Sequence, residues 1–150
     1  MVRTGRRVVV GKEAGGVNEL GYRVITVNKR RFLAHRLAWF YVNGVWPDGM
    51  IDHVNQDQSD NRIENLRIAT KSQNMANDGP RATNTSGYRG VTFDKKRGKW
   101  VAMITKDYKV LHLGRFLDRE DAARAYDAAA ISLFGEFACL NFPSESERGA

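Results

Sequence analysis

Between Ile51 and Asn77 the chain reads IDHVNQDQSDNRIENLRIATKSQNMAN, a stretch that can satisfy its own patterning only by folding back on itself. MIDHV is a short extended run whose alternate side chains leave on opposite faces, Ile51 and His53 on one and Asp52 on the other. NQDQSDNR is dense in turn formers, and NLRIA supplies a returning strand. Thr70-Lys71-Ser72-Gln73 then has the T-x-x-Q form of a capping box, so the spacing predicts a helix that starts at Lys71 and carries Asn74 in its first turn. Strand, loop, strand and helix in this order let Asp52 and Asn74 converge. A carboxylate and an amide oxygen suit a hard cation such as magnesium, and a neutral imidazole beside them that is not itself a ligand can take a proton from water.

Four blocks in order, H-R-L-A-W at 35–39, I-D-H at 51–53, N-R-I-E-N-L-R at 61–67 and T-K-S-Q-N at 70–74, resemble the HNH homing endonucleases with a ββα-metal site. The resemblance implies that Asp52 and Asn74 hold one divalent ion, Mg2+ or Mn2+, and that His53 is the general base. It also implies that Asn65 is the central asparagine of the catalytic set, its side chain hydrogen-bonded across the loop to hold the histidine-bearing strand. A backbone carbonyl or the Asn65 side chain is expected to orient His53. His35 lies outside the Asp-His-Asn spacing, at the start of a helix predicted over His35 to Val42, and is read as structural. Asn61 is read as a turn residue. Arg62 and Arg67 each have two readings, a clamp on the scissile phosphate or a surface pair with Asp57, Asp60 or Glu64.

After Asn77 the run NDGPRATNTS loses apolar periodicity and reads as a linker, short enough to keep the flanking modules close. Beyond it YRGVTFD, KWVAMIT and KVLHLG read as three strands, with Val91, Phe93, Trp100, Ala102, Ile104, Leu111 and Leu113 on one apolar face. Asp118 is a good N-cap for a helix to about Leu133 whose alanine stripe can lie close against that face. SGYRGVTF, GKWVAMI, LGRF, AARAYDAAA and LNFP together resemble the AP2 DNA-binding domain. This implies a three-stranded antiparallel sheet, packed on one helix, whose free face enters the major groove. Only Arg89 matches a DNA-contacting arginine of that family. On the free face Thr92 and Thr105 suit base edges or thymine methyls, His112 suits guanine, and Met103 suits apolar groove contacts. Lys95, Lys96, Arg97 and Lys99 cluster at one hairpin where phosphates are expected, and Arg115, placed just beyond the third strand, is within reach of another.

The fold class that follows is α+β, an N-terminal ββα-metal module followed by an AP2-type sheet on one helix. The expected division is a basic N-terminal segment over 1–20, the HNH module over 21–78, a linker over 79–86, the AP2-like domain over 87–143 and a polar tail over 144–150. Arg3, Arg6 and Arg7 in the first segment read either as an arm on phosphates or as a terminus leading into an edge strand. The net charge of +7 points the same way, toward a polyanion, here double-stranded DNA. A single cysteine, Cys139, excludes an internal disulfide and a zinc site of several thiolates, and is read as a small buried hydrophobe. With no apolar run of membrane-spanning length and no signal peptide, a cytoplasmic protein is expected, in the host cell if the gene is carried by a phage. The expected activity is divalent-metal-dependent DNA cleavage by a monomer that nicks, with no protein partner inferred. The alternatives are a DNA-binding protein without cleavage and a protein whose basic sheet meets RNA.

Overall fold

The computed structural model describes residues 12–80 and 82–143; the arginines at 3, 6 and 7 and the tail at 144–150 lie outside the described residues. Among the described residues the chain is mixed α+β, with three antiparallel sheets and three α-helices. No helix among them is long and apolar enough to cross a membrane.

β1 (Gly16–Val17) is a short edge strand on β2 (Arg23–Val27), which turns into β3 (Arg30–Leu33). Only Asn28 and Lys29 separate the paired strands, with φ of 49° and 66°, the left-handed geometry that matches hairpin twist. α1 (Ala34–Asn43) stops at Gly44, whose φ of 72° lets its N–H return to the Phe40 carbonyl. From α1, Arg36 donates to the carbonyls of Pro47 and Gly49 and so fixes the chain entering β4 (Met50–His53). β4 pairs with β5 (Leu66–Ala69), which puts Asp52 opposite Arg67 and His53 opposite Leu66. α2 (Lys71–Asn77) follows at once, on the complete Thr70–Gln73 capping box that the sequence predicts.

The C-terminal half holds β6 (Val91–Asp94), β7 (Lys99–Lys106) and β8 (Lys109–Phe116) in that spatial order, with α3 (Arg119–Phe134) behind them. The Asp118 carboxylate caps α3 by accepting from the N–H groups of Glu120 and Asp121. Alternation along β7 and β8 is interrupted by a bulge: Ala102 faces Gly114 but Met103 faces His112, so Leu113 has no partner. Leu113 packs toward the core regardless. Beyond α3, the buried Asp127 carboxylate accepts from the N–H groups of Asn141 and Phe142 and from the Asn141 amide, pinning the returning chain.

The two halves share a core. Ala69 and Ala76 of the first pack with Ile104, Tyr126, Ala130, Phe134 and Phe137 of the second. Around this core the Cys139 N–H donates to the Ala76 carbonyl, the Asp107 N–H to Ser72 Oγ, and Arg89 Nη2 to the Met75 carbonyl. Cys139 is half-buried in this seam, its Sγ accepting from Gln56 Nε2, where the sequence suggested a buried hydrophobe.

One backbone position decides how closely α3 and the sheet approach. Gly90 has φ of 70°, and a Cβ there would lie 2.0 Å from Tyr126 Cδ2 and 2.6 Å from the Met103 carbonyl oxygen. An alanine at 90 therefore meets backbone strain, a buried ring and a backbone carbonyl oxygen at once. Gly90→Ala is expected to cost at least about 2 kcal/mol, read as a fall in the urea midpoint at unchanged m-value; an unchanged midpoint would show that Tyr126 can move.

Candidate active site and DNA-reading face

Asp52 is 4% exposed, so its charge must be met inside the protein. Its Oδ2 accepts from Arg67 Nε at 2.8 Å and lies 2.8 Å from Arg67 Nη2. Asn77 Nδ2 stands 3.1 and 3.2 Å from the two carboxylate oxygens and donates to the His53 carbonyl at 2.7 Å. Arg67 thus pairs with none of Asp57, Asp60 and Glu64, because the strand register sets it directly across from Asp52. Arg62 does take Asp60, at 2.7 Å, with Glu64 at 3.8 Å.

Asn77 was not among the residues singled out in the sequence. The signal was there as N-x-x-N: at i, i+3 on one helix, Asn74 and Asn77 share a side. Asn77 is buried against Asp52, whereas Asn74 is half-buried one turn earlier and its amide has no hydrogen-bond partner among the described residues. Among the described residues no group of three or more His, Cys, Asp or Glu side chains can hold a metal. The donors beside α2 are a carboxylate and amide oxygens, which fit a hard ion that keeps part of its water shell.

His53 is 5% exposed on the other face of β4. Its Nε2 lies 3.2 Å from Asn61 Oδ1, and the Asn61 amide nitrogen donates to the Ser59 carbonyl, so that oxygen is an acceptor. A neutral His53 therefore carries its hydrogen on Nε2 and keeps the Nδ1 lone pair. The orienting group is Asn61, in place of the carbonyl or Asn65 suggested by the sequence. Asn65 spans the loop: its Oδ1 accepts from the Asn55 N–H at 2.9 Å and its Nδ2 donates to the Asp60 carbonyl at 2.8 Å. His35 packs edge-on against His53 with ring centroids 5.2 Å apart and touches Tyr22 in the same way. Burial first, then the neighbouring His53 and Arg36, hold the pKa of His35 down to about 4.

The candidate DNA-reading residues fall into three places. Thr92, Met103 and Thr105 face a cleft of about 400 Å3 whose far wall is α2 and the segment after it. His112 is exposed across from Met103, and Arg115 lies within β8 rather than beyond it, across from Val101. At the hairpin Lys95, Lys96 and Lys99 are exposed. Arg97 pairs with Asp94 at 3.0 Å, which holds the Asp94 carboxyl below its usual range, and Arg115 leans on the same carboxylate at 4.0 Å. Arg89 lines the same cleft as Thr92, Met103 and Thr105, but its guanidinium turns into the seam toward Met75 and the Tyr126 ring.

Residues 32–76 match the HNH endonuclease family and residues 86–136 match the AP2 domain. An HNH-type segment is therefore followed in this chain by an AP2-type segment. Among individual proteins it is similar to protein 3.8 of Escherichia phage T7, 33% identical over 76 residues that make up 50% of this chain and 63% of that protein. It is also similar to APETALA2-like protein 2 of Oryza sativa subsp. indica, 47% identical over 64 residues, 43% of this chain and 14% of that one. The AP2-like ethylene-responsive transcription factor TOE2 of Arabidopsis thaliana is 45% identical over 64 residues, 43% of this chain and 13% of its own length. The chain thus spans only a small part of the plant relatives and less than two thirds of the phage protein.

The buried His35 gives the module a pH signature. Its folded pKa of about 4 lies below the ordinary 6.5, so across that window the unfolded chain takes up a proton that the folded chain refuses. Stability from this residue is full above the ordinary pKa and falls with pH, by about 2 kcal/mol at pH 5. The fall in urea midpoint between about pH 7 and pH 5 is expected to be smaller in His35→Gln than in the wild type; an equal fall would place the titration on another group.

Proposed function

We propose that this chain is a divalent-metal-dependent DNA endonuclease of the HNH homing type, built on a ββα-metal module, that nicks duplex DNA at sites favoured by its AP2 sheet. The observation that carries this reading is the HNH-matching hairpin and helix, with Asp52 held toward α2 and His53 held beside Asn61, in one chain with an AP2 domain. The module spans 21–78, the linker 79–86 and the reader 87–143, with a basic segment before and a polar tail after. Asp52 and Asn74 would hold one Mg2+ or Mn2+ ion, which HNH nucleases typically use. When bound, the ion supplies charge stabilisation at the scissile phosphate and the leaving 3′ oxygen. His53 takes the proton of the attacking water, Asn61 fixes its ring and Asn65 keeps the loop from opening. Cleavage leaves a 5′-phosphate and a 3′-hydroxyl. One active site per monomer accounts for a nick, and the protein acts in the cytoplasm of the cell that contains its target, with no protein partner. Lys95, Lys96, Arg97, Lys99 and Arg115 engage phosphates, while Thr92, Met103, Thr105 and His112 set the site preference and Arg89, turned into the seam, does not reach a base.

The likeness to plant transcription factors favours a second reading, DNA binding without cleavage. Supercoiled plasmid separates the two. Wild type is expected to convert it to the nicked form with magnesium but not with excess EDTA, and Asp52→Ala is expected to leave it intact with either. A gel shift without conversion under all conditions would establish the second reading.

Two further outcomes divide cutting from binding. His53→Ala is expected to lose about 10²- to 10⁴-fold in nicking rate with duplex affinity retained; near-normal nicking would remove His53 from the chemistry. Lys95→Ala and Lys96→Ala are each expected to reduce the salt dependence of binding by roughly one unit of log–log slope. An unchanged slope would put that hairpin off the DNA.

A further inference from the structure

Arg67 is held from three directions, and two of them belong to the AP2 half. Nε and Nη2 go to Asp52, both at 2.8 Å. Nη1 donates to the Glu136 carbonyl at 2.8 Å, and the guanidinium carbon sits 3.9 Å from the centre of the Phe137 ring. A planar guanidinium fixed by a ring against its face and by hydrogen bonds in its plane has one orientation left. Glu136 and Phe137 lie in the 3-10 turn Gly135–Phe137 that ends α3, far from Asp52 in sequence and outside the HNH match. Phe137 is 8% exposed and belongs to the core that the two halves share.

We propose that the turn after α3 completes the cleavage site: Phe137, with the Glu136 carbonyl, is a positioning element that sets Arg67 and through it the Asp52 carboxylate. This rests on the reading of Asp52 as part of the cleavage site. The AP2 domain then contributes to the rate of cutting as well as to the choice of DNA. Asn77 and Arg67 hold the carboxylate from within the HNH half, and the second half adds the two contacts that stop the arginine from turning.

The test uses the full chain with three substitutions. Phe137→Leu keeps an apolar side chain and removes the ring face, Phe137→Tyr keeps the ring, and Phe134→Leu loosens the same core without touching Arg67. Nicking kcat, duplex Kd and the Arg67 Nε–H resonance are measured well below every variant's Tm. Phe137→Leu is expected to lose about 10- to 10²-fold in kcat, with Kd within about twofold and the Nε–H signal losing its protection from exchange. Phe137→Tyr is expected to restore both, and Phe134→Leu to alter neither. Equal losses in Phe134→Leu and Phe137→Leu would reduce Phe137 to a core residue and overturn the proposal, as would an Nε–H signal that ignores Phe137→Leu. If wild type binds but never nicks while the Nε–H signal responds to Phe137→Leu, the nuclease reading fails and the catalytic role falls with it, although the coupling stands.

Discussion

The structure turns on one buried charge. A carboxylate with 4% exposure loses most of its hydration, a penalty of several kcal/mol in a protein interior, and only a close, well-directed partner offsets it. Arg67 is that partner because the β4–β5 register leaves it no other cross-strand neighbour, and Asn77 covers the remaining oxygen because α2 follows β5 without slack. The capping box at Thr70 contributes at this point: it starts α2 immediately after the strand, which places Asn77 under Asp52 and its Nδ2 on the His53 carbonyl. A few local decisions, each worth about 1 kcal/mol, thereby hold a group whose misplacement would cost more than all of them.

Meeting that charge also joins the two halves. Once Arg67 is committed to Asp52 its remaining nitrogen needs an acceptor, and the nearest is the Glu136 carbonyl at the end of α3. The alanines at 69 and 76 are small enough to let that turn and the Tyr126 and Phe134 rings come close. Arg89 makes the reciprocal contact, from the start of the AP2 half to the α2 carbonyl of Met75. Two arginines that read as surface or DNA-contacting groups in the sequence instead satisfy backbone carbonyls across the seam.

What the sequence revealed and what it hid divide along the range of the interactions. The Thr70–Gln73 box and the Asp118 cap are each decided within about four residues, and both stand where their local chemistry puts them. The partner of Arg67 was not legible, because Asp57, Asp60 and Glu64 are nearer in sequence and only strand register brings Asp52 closer in space. Asn61 looked like a turn residue and is one, but the same amide that bonds Ser59 also presents its oxygen to His53. The bulge at Ala102 and Met103 was hidden for the opposite reason, since Leu111 and Leu113 keep an apolar alternation that the backbone no longer follows. The seam could not be read from the polar run KSQNMAN, whose lone alanine gives no periodicity.

Charge pairing also limits how the AP2 face can meet DNA. A carboxylate at Asp94 draws Arg97 and Arg115 toward itself and takes the N–H groups of Lys96 and Arg97, so much of the local positive charge is already spoken for. The unpaired charge at that hairpin is carried by Lys95, Lys96 and Lys99, flexible point charges suited to phosphates and poor at fixing a base. On the proposed reading, discrimination between bases would fall to Thr92, Met103, Thr105 and His112, and three of these face a cleft bounded by α2. Because the seam makes this helix and the sheet share a core, bases read by the sheet and phosphates presented to Asp52 would be separated by a fixed distance, which a flexible tether between independent domains would not provide.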